Sequence, residues 1–390
     1  MIDLSLDQKK ALKDVLEWYA KDRQRMQFVT LGGFAGTGKT TLIALLRKEL
    51  HSKDKDLKVG FASYTGKATR VLKNKLTEQS SIYPQDTVST IHGLIYSPVV
   101  NAKQEIIGWQ KKDTIDRQLI IIDEASMVDE LIWMHLLSYN VPIIVVGDHG
   151  QLPPIKGNFN LMQKPNLKLE EIHRQAKRNP IIELSIQART TGNILPGKYS
   201  ETVQKYSPDD LDAHEKMNEL LTNYKKDTLI LCGYNKTRRK LNDFIRQSKG
   251  FEFPNPSVGD QVICLRNNHK KNIYNGMIGT IVNIEREDSE WYSAEIAMDG
   301  ETKNYHGLIS VAQFNSDAAL NFTDKRSQIM KGDLFDFGYA LTVHKAQGSQ
   351  AKRVILFEER FKQMDDEAWK RWLYTAVTRA EEELYIFSTS

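Results

Sequence analysis

The segment GFAGTGKT at residues 33–40 constrains the possible folds of this chain more than any other feature. It matches the pattern G-x-x-x-x-G-K-[ST], follows an apolar run at residues 28–31, and precedes a helix-like run at residues 40–50. A strand, a glycine-rich turn and a helix in this order form a phosphate-binding loop, because backbone N–H groups and the helix N-terminus converge on an anion. The alternative is a chance glycine turn, which the flanking strand and helix disfavour.

Within this loop, four residues can be given roles from their chemistry. Gly36 and Gly38 allow backbone N–H groups to curl around phosphate oxygens. Lys39 can reach the β- and γ-phosphates, and Thr40 can hold Mg²⁺. The sequence therefore predicts a site for a nucleotide together with Mg²⁺.

Strand-like and helix-like runs alternate through the first half of the chain. Apolar runs of strand length occur at residues 59–63, 119–122 and 143–146, and helical spacing occurs at residues 8–19 and 68–76. Such alternation predicts a parallel sheet with helices on both faces, and continuous apolar strands fit burial in its centre.

A second α/β stretch follows the polar residues 207–210, and it is interrupted by a different pattern. Short strands with glycine turns and an Asp299-Gly300 hairpin signal predict a small β-barrel between residues 258 and 307. The flanking α/β elements are strand candidates at residues 228–232, 354–357 and 384–387 and helix candidates at residues 238–247 and 368–377.

Composition sets outer limits on the protein class. With 390 residues, two to four domains are expected. Two cysteines, Cys232 and Cys264, exclude a disulfide framework or a cysteine-rich zinc site. A net charge of +4 neither demands nor excludes a nucleic-acid partner. No signal peptide and no apolar run of membrane-spanning length is evident, so we expect a soluble, cytoplasmic protein without membrane partners.

Polar residues follow two of the apolar strand candidates. Asp123 and Glu124 come directly after residues 119–122, at the sheet edge where ligands bind in open α/β folds. We expect Asp123 to hold Mg²⁺ through water and Glu124 to polarise the attacking water. Gln151, after residues 143–146, is placed to sense a γ-phosphate. The alternatives are an ordinary helix cap for the carboxylates and a sheet-closing loop around Gln151.

Further motifs occur in order along the chain, and together they resemble superfamily 1 helicases of the 5′-to-3′ branch, the RecD/Dda-like group. The resemblance covers residues 6–387 and rests, beyond the loop and the two carboxylates, on these segments: Gln8 as a Q motif, ASYTGKA at 62–68 as motif Ia, STIH at 89–92 as motif Ib, LEEIHRQ at 169–175, YALTVHKAQGS at 339–349 as motif V and YTAVTRA at 374–380 as motif VI.

The resemblance implies an α/β fold with two RecA-like parallel-sheet domains, a β-hairpin insertion in the first and a small SH3-like β-barrel insertion in the second. The implied boundaries are residues 1–178 for the first domain with its hairpin (the pin) at 95–116, residues 179–255 and 336–390 for the second domain, and residues 256–335 for the barrel.

It also implies the activity: an ATP-dependent DNA helicase or translocase that moves 5′-to-3′ on single-stranded DNA and unwinds duplex DNA. ATP and Mg²⁺ are the expected cofactors. Single-stranded DNA and single-strand/duplex junctions are the expected partners, with a single-strand-binding or replication protein as a further candidate. A monomer is expected, because one chain carries both halves of the ATP site.

Site residues follow from the same motifs. The catalytic set is Lys39, Asp123, Glu124, Gln151, Arg174 and Arg379, with Arg379 as an arginine finger from the second domain. The nucleotide-binding set is Gln8, Gly33, Gly36, Thr37, Gly38, Lys39, Thr40, Thr41 and Gly348. The metal-binding set is Thr40 and Asp123. The DNA-binding set is Tyr64, Thr65, Lys67, His92, Pro153, Asn235, Thr342, His344 and Lys345.

Several residues allow two interpretations. Tyr64 stands where the family has proline, so it can stack on a base or pack as an ordinary surface residue. In the hairpin, Ile107 or Trp109 can act as an apolar wedge, or Trp109 can pack the hairpin onto its domain.

Two basic clusters are open in the same way. Six lysines and arginines between residues 236 and 249 can contact phosphates or form a solvated helix face. Arg266, Lys270 and Lys271 on the barrel insertion can help to guide a strand.

Two other functions remain open from the residues alone. An RNA-directed helicase is possible because no residue reports contact with a 2′-hydroxyl. An ATP-gated clamp that holds a single strand without unwinding is the second alternative, and the intact Lys39, Asp123, Glu124 and Arg379 argue against it.

Overall fold

The computed structural model describes residues 4–100, 106–154, 159–172, 179–268, 271, 273–316 and 331–388. The chain divides into two compact units, Met1–Glu183 and Leu184–Ser390. Among the described residues, no helix has both the length and the apolar content that a membrane crossing requires.

The first unit is built around a parallel sheet. Its strands, with those of a separate hairpin, are β1 (Phe28–Gly33), β2 (Val59–Ser63), β3 (Thr87–Thr90), β4 (Tyr96–Val100), β5 (Ile106–Lys111), β6 (Leu119–Asp123), β7 (Ile143–Gly147) and β8 (Leu167–Leu169). Six of them form one sheet in the order β3-β2-β6-β7-β1-β8, and every pair in it is parallel.

Helices connect these strands, and most begin at a side-chain cap. They are α1 (Leu6–Glu17), α2 (Lys39–Lys53), α3 (Gly66–Glu78), α4 (Ile91–Ile95) and α5 (Glu130–Leu137). Ser5, Thr65, Thr90 and Asp129 each accept a hydrogen bond from a backbone N–H of the first turn that would otherwise lack an intrahelical partner. Helix α2 has no such cap and begins after Gly38, so its N-terminal N–H groups are left for a ligand.

Apolar residues on both sides of the strands explain why this sheet lies between two layers of helices. In β6, Leu119 and Ile121 pack with α1, α2 and α3, whereas Ile120 and Ile122 pack with α4 and α5. Successive side chains of a strand point to opposite faces, so a strand buried on both faces must be apolar throughout. The prediction of a doubly covered parallel sheet is therefore confirmed.

Strands β4 and β5 form an antiparallel hairpin, at the place where the sequence predicts one. Its base is anchored by the Tyr139 hydroxyl, which donates to the carbonyls of Ile95 and Lys112 at 2.9 and 2.8 Å. Trp109 is 39% exposed, so its role as a wedge and its packing of the hairpin onto the domain both stay predictions. The side chain of Ile107 lies outside the described residues.

Helix α6 (Pro180–Thr191) begins in the first unit and continues into the second. The remaining elements are β9 (Gly197–Lys198), β10 (Val203–Tyr206), α7 (Leu211–Thr222), β11 (Thr228–Cys232), α8 (Asn235–Ser248), β12 (Gln261–Cys264), β13 (Ile278–Arg286), β14 (Trp291–Met298), β15 (Tyr305–Ser310), β16 (Phe335–Phe337), β17 (Ala340–Thr342), β18 (Ala351–Glu358), α9 (Asp366–Val377) and β19 (Ala380–Ser388).

The second unit holds its own six-stranded sheet, in the order β17-β11-β18-β19-β10-β9. All pairs are parallel except the two-residue edge strand β9, which runs antiparallel to β10. A very short edge strand limits pairing with other chains. This α/β sheet is the one that the resemblance implies for the second domain.

A five-stranded antiparallel sheet, β15-β14-β13-β12-β16, interrupts this α/β arrangement. It has a separate apolar core that includes Val262, Ile281 and Ile296. Strand β16 ends at Phe337, two residues beyond the boundary expected from the sequence. The SH3-like form of this insertion stays a prediction.

Two members of the basic cluster at residues 236–249 are not available to a phosphate in this structure. Arg238 is buried and paired with Asp336 at 2.9 Å, and Arg246 is buried and paired with Asp260 at 3.0 Å. These two arginines join α8 to the antiparallel sheet, because Asp336 lies in β16 and Asp260 directly precedes β12. The helix-face interpretation is also wrong for them, because both side chains point into the protein.

A similar buried pair stabilises the first unit, and it gives a stability prediction. Arg47 and Asp86 are both fully buried and lie 3.0 Å apart, and Asp86 also accepts from the backbone N–H of Tyr83 at 3.0 Å. We expect Asp86→Ala to lower the free energy of unfolding by about 3–5 kcal/mol, because Arg47 is left as an unpaired buried charge. Urea denaturation followed by far-UV circular dichroism measures this loss.

The matched control is Asp116→Ala. Asp116 also pairs with a cation, Lys58 at 2.9 Å, but its side chain is 79% exposed. Solvent screens such a pair, so little change is expected. Equal losses for the two variants would contradict the assignment of Asp86 as a stabilising buried partner.

Candidate active site

The carboxyl ends of three neighbouring strands converge at one edge of the first sheet. Gly32 of β1 is in register with Gly147 of β7, and Ile122 of β6 is in register with Val145 of β7. Asp123 is the last residue of β6. The phosphate-binding loop, the acidic pair and the segment after β7 therefore start from adjacent positions, as expected for a ligand site in an open α/β sheet.

The loop after β1 has the backbone conformation that phosphate binding requires. Gly36 and Gly38 have φ of 78° and 74°, a region that glycine adopts without strain. Lys39 directs its ammonium group into the loop, where it donates to the carbonyls of Gly33 at 2.8 Å and Phe34 at 3.0 Å. A phosphate must replace these two carbonyl oxygens as partners of Lys39.

Gln8 holds helix α1 against this loop. Its Nε2 donates to the carbonyl of Thr37 at 2.8 Å, and its Oε1 accepts from the backbone N–H of Ser5 at 3.1 Å. Gln8 and Thr37 are both fully buried. The neighbouring Asp7 accepts from the N–H groups of Glu170 and Glu171. Partial burial raises the pKa of Asp7, but hydrogen bonds from the Ser5 hydroxyl and from these N–H groups outweigh it, so the pKa lies below its usual value. Gln8 therefore connects helix α1 to the phosphate-binding loop and stabilises the position of that loop.

Asp123 and Glu124 form an acidic pair with different environments. Burial, together with the negative charge of Glu124, raises the pKa of Asp123 to about 6, and Lys39 opposes this shift. Glu124 has φ of 57°, a left-handed conformation that is uncommon outside glycine. A buried carboxylate whose negative charge is poorly compensated fits a divalent cation, and an oxygen ligand is what Mg²⁺ prefers.

Other predicted residues of the first unit lie near this edge. Gln151 is 5% exposed, and its Nε2 donates to Oδ2 of Asp148 at 3.3 Å. Thr40 and Thr41 lie half-buried in the first turn of α2. Pro153 is half-buried and follows Gln151 by two positions. Arg174 lies outside the described residues.

In the second unit, Arg379 is not presented as a free cation. It is 2% exposed, its Nε donates to the Thr375 carbonyl at 3.0 Å, and its Nη1 donates to the Ser349 carbonyl at 3.2 Å. Gly348, next to Ser349, has φ of 74°. The predicted motifs V and VI therefore contact each other through the Arg379 guanidinium group.

Four of the predicted DNA-binding residues lie together in the first unit. Tyr64 packs against the core beside α4, and its ring meets that of His92 edge-on at 6.2 Å. Burial lowers the pKa of His92, partly opposed by Asp129. Thr65 caps α3, and Lys67 is half-buried in its first turn. Packing is what the structure shows for Tyr64, and stacking on a base stays a prediction.

The remaining predicted DNA contacts lie in the second unit. Thr342 ends β17, and burial lowers the pKa of both His344 and Lys345. The Nζ of Lys345 donates to Oδ1 of Asn275 at 2.9 Å. Asn275 belongs to the antiparallel insertion. No local sequence signal predicts this contact, because the two residues are 70 positions apart.

The N-terminus of α8, where Asn235 lies, is already satisfied by a carboxylate. Glu359 accepts from the N–H groups of Gly233 at 2.8 Å and Tyr234 at 3.0 Å and from the Thr237 hydroxyl at 2.5 Å. A nucleic-acid phosphate would have to displace Glu359 to use these donors. Asn235 itself is exposed, so a contact through its side chain stays a prediction.

The position of Gln8 gives a prediction for nucleotide affinity. Gln8→Ala removes the Nε2 donor of the buried Thr37 carbonyl, and an unpaired buried carbonyl costs about 1–3 kcal/mol. Because Thr37 belongs to the phosphate-binding loop, the KM for ATP should rise about tenfold. Steady-state ATP hydrolysis measures it. Lys10→Ala, an exposed change on the same helix, is the control and should leave KM unchanged. An unchanged KM for Gln8→Ala, with α1 intact by circular dichroism, would refute the bracing role.

Family models match both units of the chain. A model described as an AAA domain matches residues 3–210, which is more than half of the chain, and one described as a UvrD-like helicase C-terminal domain matches residues 337–387.

Curated relatives and solved structures extend this match. The ATP-dependent RecD2 DNA helicase of Deinococcus radiodurans is 27% identical over 97% of this chain, which spans about half (49%) of that protein. The ATP-dependent DNA helicase dda of Enterobacteria phage T4 is 23% identical, covering 98% of this chain and 99% of that protein.

The Pif1 helicase from Bacteroides, solved with ADP-AlF3 and single-stranded DNA, shares the fold with a TM-score of 0.55 and 18% identity, covering 100% of this chain and 93% of that one. These matches are consistent with the two α/β sheets of the structure and with the phosphate-binding loop at residues 33–40. The chain belongs to the family of this AAA domain model, and its recognition as a superfamily 1B helicase of the RecD/Dda-like group is confirmed by these relatives.

Proposed function

We propose that this protein is an ATP-dependent DNA helicase that moves 5′-to-3′ along single-stranded DNA and separates duplex DNA. The observation that carries the proposal is the convergence of the phosphate-binding loop and the acidic pair at one sheet edge, in a chain whose relatives match it along nearly all of its length. Relatives named as DNA helicases favour this function over the RNA-directed and clamp alternatives.

ATP binding begins with a change of partners at Lys39. Its ammonium group is held by the carbonyls of Gly33 and Phe34, which carry only partial negative charge. Phosphate oxygens carry full charge and form stronger, charge-assisted hydrogen bonds, so they replace these carbonyls. The N-terminus of α2, which has no side-chain cap, adds further N–H donors to the same anion.

We assign Thr40 and Asp123 as the residues that hold Mg²⁺ with the nucleotide. When bound, the metal neutralises charge on the β- and γ-phosphates. Lys39 does the same from the protein side. Glu124, next to Asp123, accepts a hydrogen bond from the attacking water and orients it, while Gln151 contacts the γ-phosphate.

Arginines complete the proposed chemistry. Arg379, and Arg174 by resemblance alone, would stabilise the charge that develops on the transferring phosphoryl group. Arg379 must first leave the carbonyls of Thr375 and Ser349. Its release therefore links hydrolysis to motif V, which carries Thr342, His344 and Lys345, the proposed contacts to the DNA strand.

The proposed DNA contacts occur in both units, and this suits stepping. Tyr64, Thr65, Lys67, His92 and Pro153 belong to the first unit, and Asn235, Thr342, His344 and Lys345 belong to the second. Alternate tightening of the two sets, driven by ATP binding and loss of the γ-phosphate, would move the strand in one direction. We propose that the hairpin β4–β5 is the pin, that the insertion is SH3-like, and that the chain acts as a monomer at single-strand/duplex junctions.

Strand displacement on two partial duplexes tests this function. One duplex carries a 5′ single-stranded tail and the other a 3′ tail, with ATP and Mg²⁺ present. We expect unwinding only from the 5′ tail, because the chain belongs to the 5′-to-3′ branch. The readout is release of a fluorescent strand over time.

Lys39→Ala is the matched control and should release no strand. Unwinding only from the 3′ tail would refute the polarity but keep the motor. ATP hydrolysis stimulated by DNA without strand release would favour the clamp. Stronger stimulation of hydrolysis by single-stranded RNA than by DNA would favour the RNA-directed alternative.

The acidic pair gives a second prediction. Glu124→Gln keeps the size and polarity of the side chain but removes the base, so ATP should bind normally while its hydrolysis slows about 100- to 10,000-fold. Fluorescent-nucleotide binding and single-turnover hydrolysis separate the two effects. Loss of nucleotide binding in a folded Glu124→Gln protein would show that Glu124 does not act on water.

A further inference from the structure

The first residue of the phosphate-binding loop after Gly33 makes a ring contact that the proposed mechanism has not used. The ring of Phe34 lies 4.1 Å, centroid to centroid, from that of His149, with the planes inclined by 45°. Both side chains are half-buried. Gly32, two positions before Phe34, leaves room for the His149 ring, because a Cβ atom there would lie 2.9 Å from Nδ1 of His149.

Phe34 connects two other residues of the loop. Its carbonyl accepts from the Lys39 ammonium at 3.0 Å and from the Thr37 hydroxyl at 2.8 Å. When Lys39 turns to a phosphate, the Phe34 carbonyl loses its charged partner. Because the Gly33 carbonyl loses the same partner, both peptide units that flank the Phe34 side chain must change their bonding on nucleotide binding.

His149 lies in the segment that carries Gln151. Asp148, 2% exposed, accepts from the N–H of Gly150 at 3.0 Å and from Nε2 of Gln151 at 3.3 Å. The N–H of Gln151 donates to the Asp148 carbonyl at 3.3 Å. This turn is short and internally bonded, so His149 and Gln151 belong to one ordered segment.

We propose that Phe34 and His149 are positioning residues for ATP hydrolysis, and that their ring contact sets the placement of Gln151 according to the state of the phosphate-binding loop. The inference rests on the proposed ATP-hydrolysing function. Neither ring is required to touch the nucleotide, because Lys39 and the loop backbone provide the phosphate contacts. The contact therefore acts on turnover more than on affinity.

The test is a double-mutant cycle on ATP hydrolysis, with and without single-stranded DNA. Phe34→Ala and His149→Ala should each lower kcat about two- to tenfold, the range that an aromatic pair contributes, with less than about a twofold change in KM. The double variant should be no slower than the slower single variant, because both changes remove the same contact.

Ring-preserving variants are the matched controls. Phe34→Tyr and His149→Phe keep the ring contact and should retain kcat. If Phe34 and His149 were merely structural, the alanine variants would instead show a lower thermal midpoint and a higher KM. The inference is overturned if the two alanine effects multiply, if KM rises while kcat is unchanged, or if the ring-preserving variants behave like the alanine variants.

Failure of the proposed helicase function is seen separately. Strand displacement by the wild-type protein reports on unwinding, and the cycle reports only on hydrolysis. A wild-type protein that hydrolyses ATP without releasing a strand would refute the helicase function, yet a cycle with a shared effect would still support the ring contact.

Discussion

Burial of the central strands on both faces is the constraint on which the first unit depends. Because β6 and β7 carry no polar side chain other than Asp123, the last residue of β6, polar chemistry appears only where a strand ends. The parallel register brings these ends to one edge, with Asp123 at the end of β6 and Asp148 directly after β7. The site is thus a consequence of the sheet: the strands that form the core also determine where the reactive groups lie.

Local sequence signals predicted much of this arrangement. The sequence predicts both ends of the strands at residues 59–63 and 228–232 correctly. A short apolar run bounded by polar residues in an α/β chain is typical of a buried strand. The phosphate-binding loop was equally clear, because its glycines adopt the positive φ that its pattern requires. Such features depend on neighbours in the sequence, and the sequence displays neighbours directly.

Pairings between distant residues could not be predicted in this way. Arg238 and Arg246 look like members of a surface cluster, and only the fold brings Asp336 and Asp260 to them. Glu359 accepts a hydrogen bond from the N–H of Gly233, which lies 126 positions away in the sequence. A charged side chain in a sequence does not reveal whether its partner is water, phosphate or a buried carboxylate, because that depends on which chain segments meet.

Two of the cations proposed to act on ATP share a further property. Lys39 is held by the carbonyls of Gly33 and Phe34, and Arg379 by those of Thr375 and Ser349. Carbonyl dipoles satisfy a cation well enough to keep it ordered, but a phosphate with full negative charge outcompetes them. Among the described residues, neither cation forms a direct ion pair with a carboxylate, which would compete with the nucleotide far more strongly than a carbonyl does. Acidic residues are instead found beside the arginines that α8 uses for structure, where no ligand has to displace them.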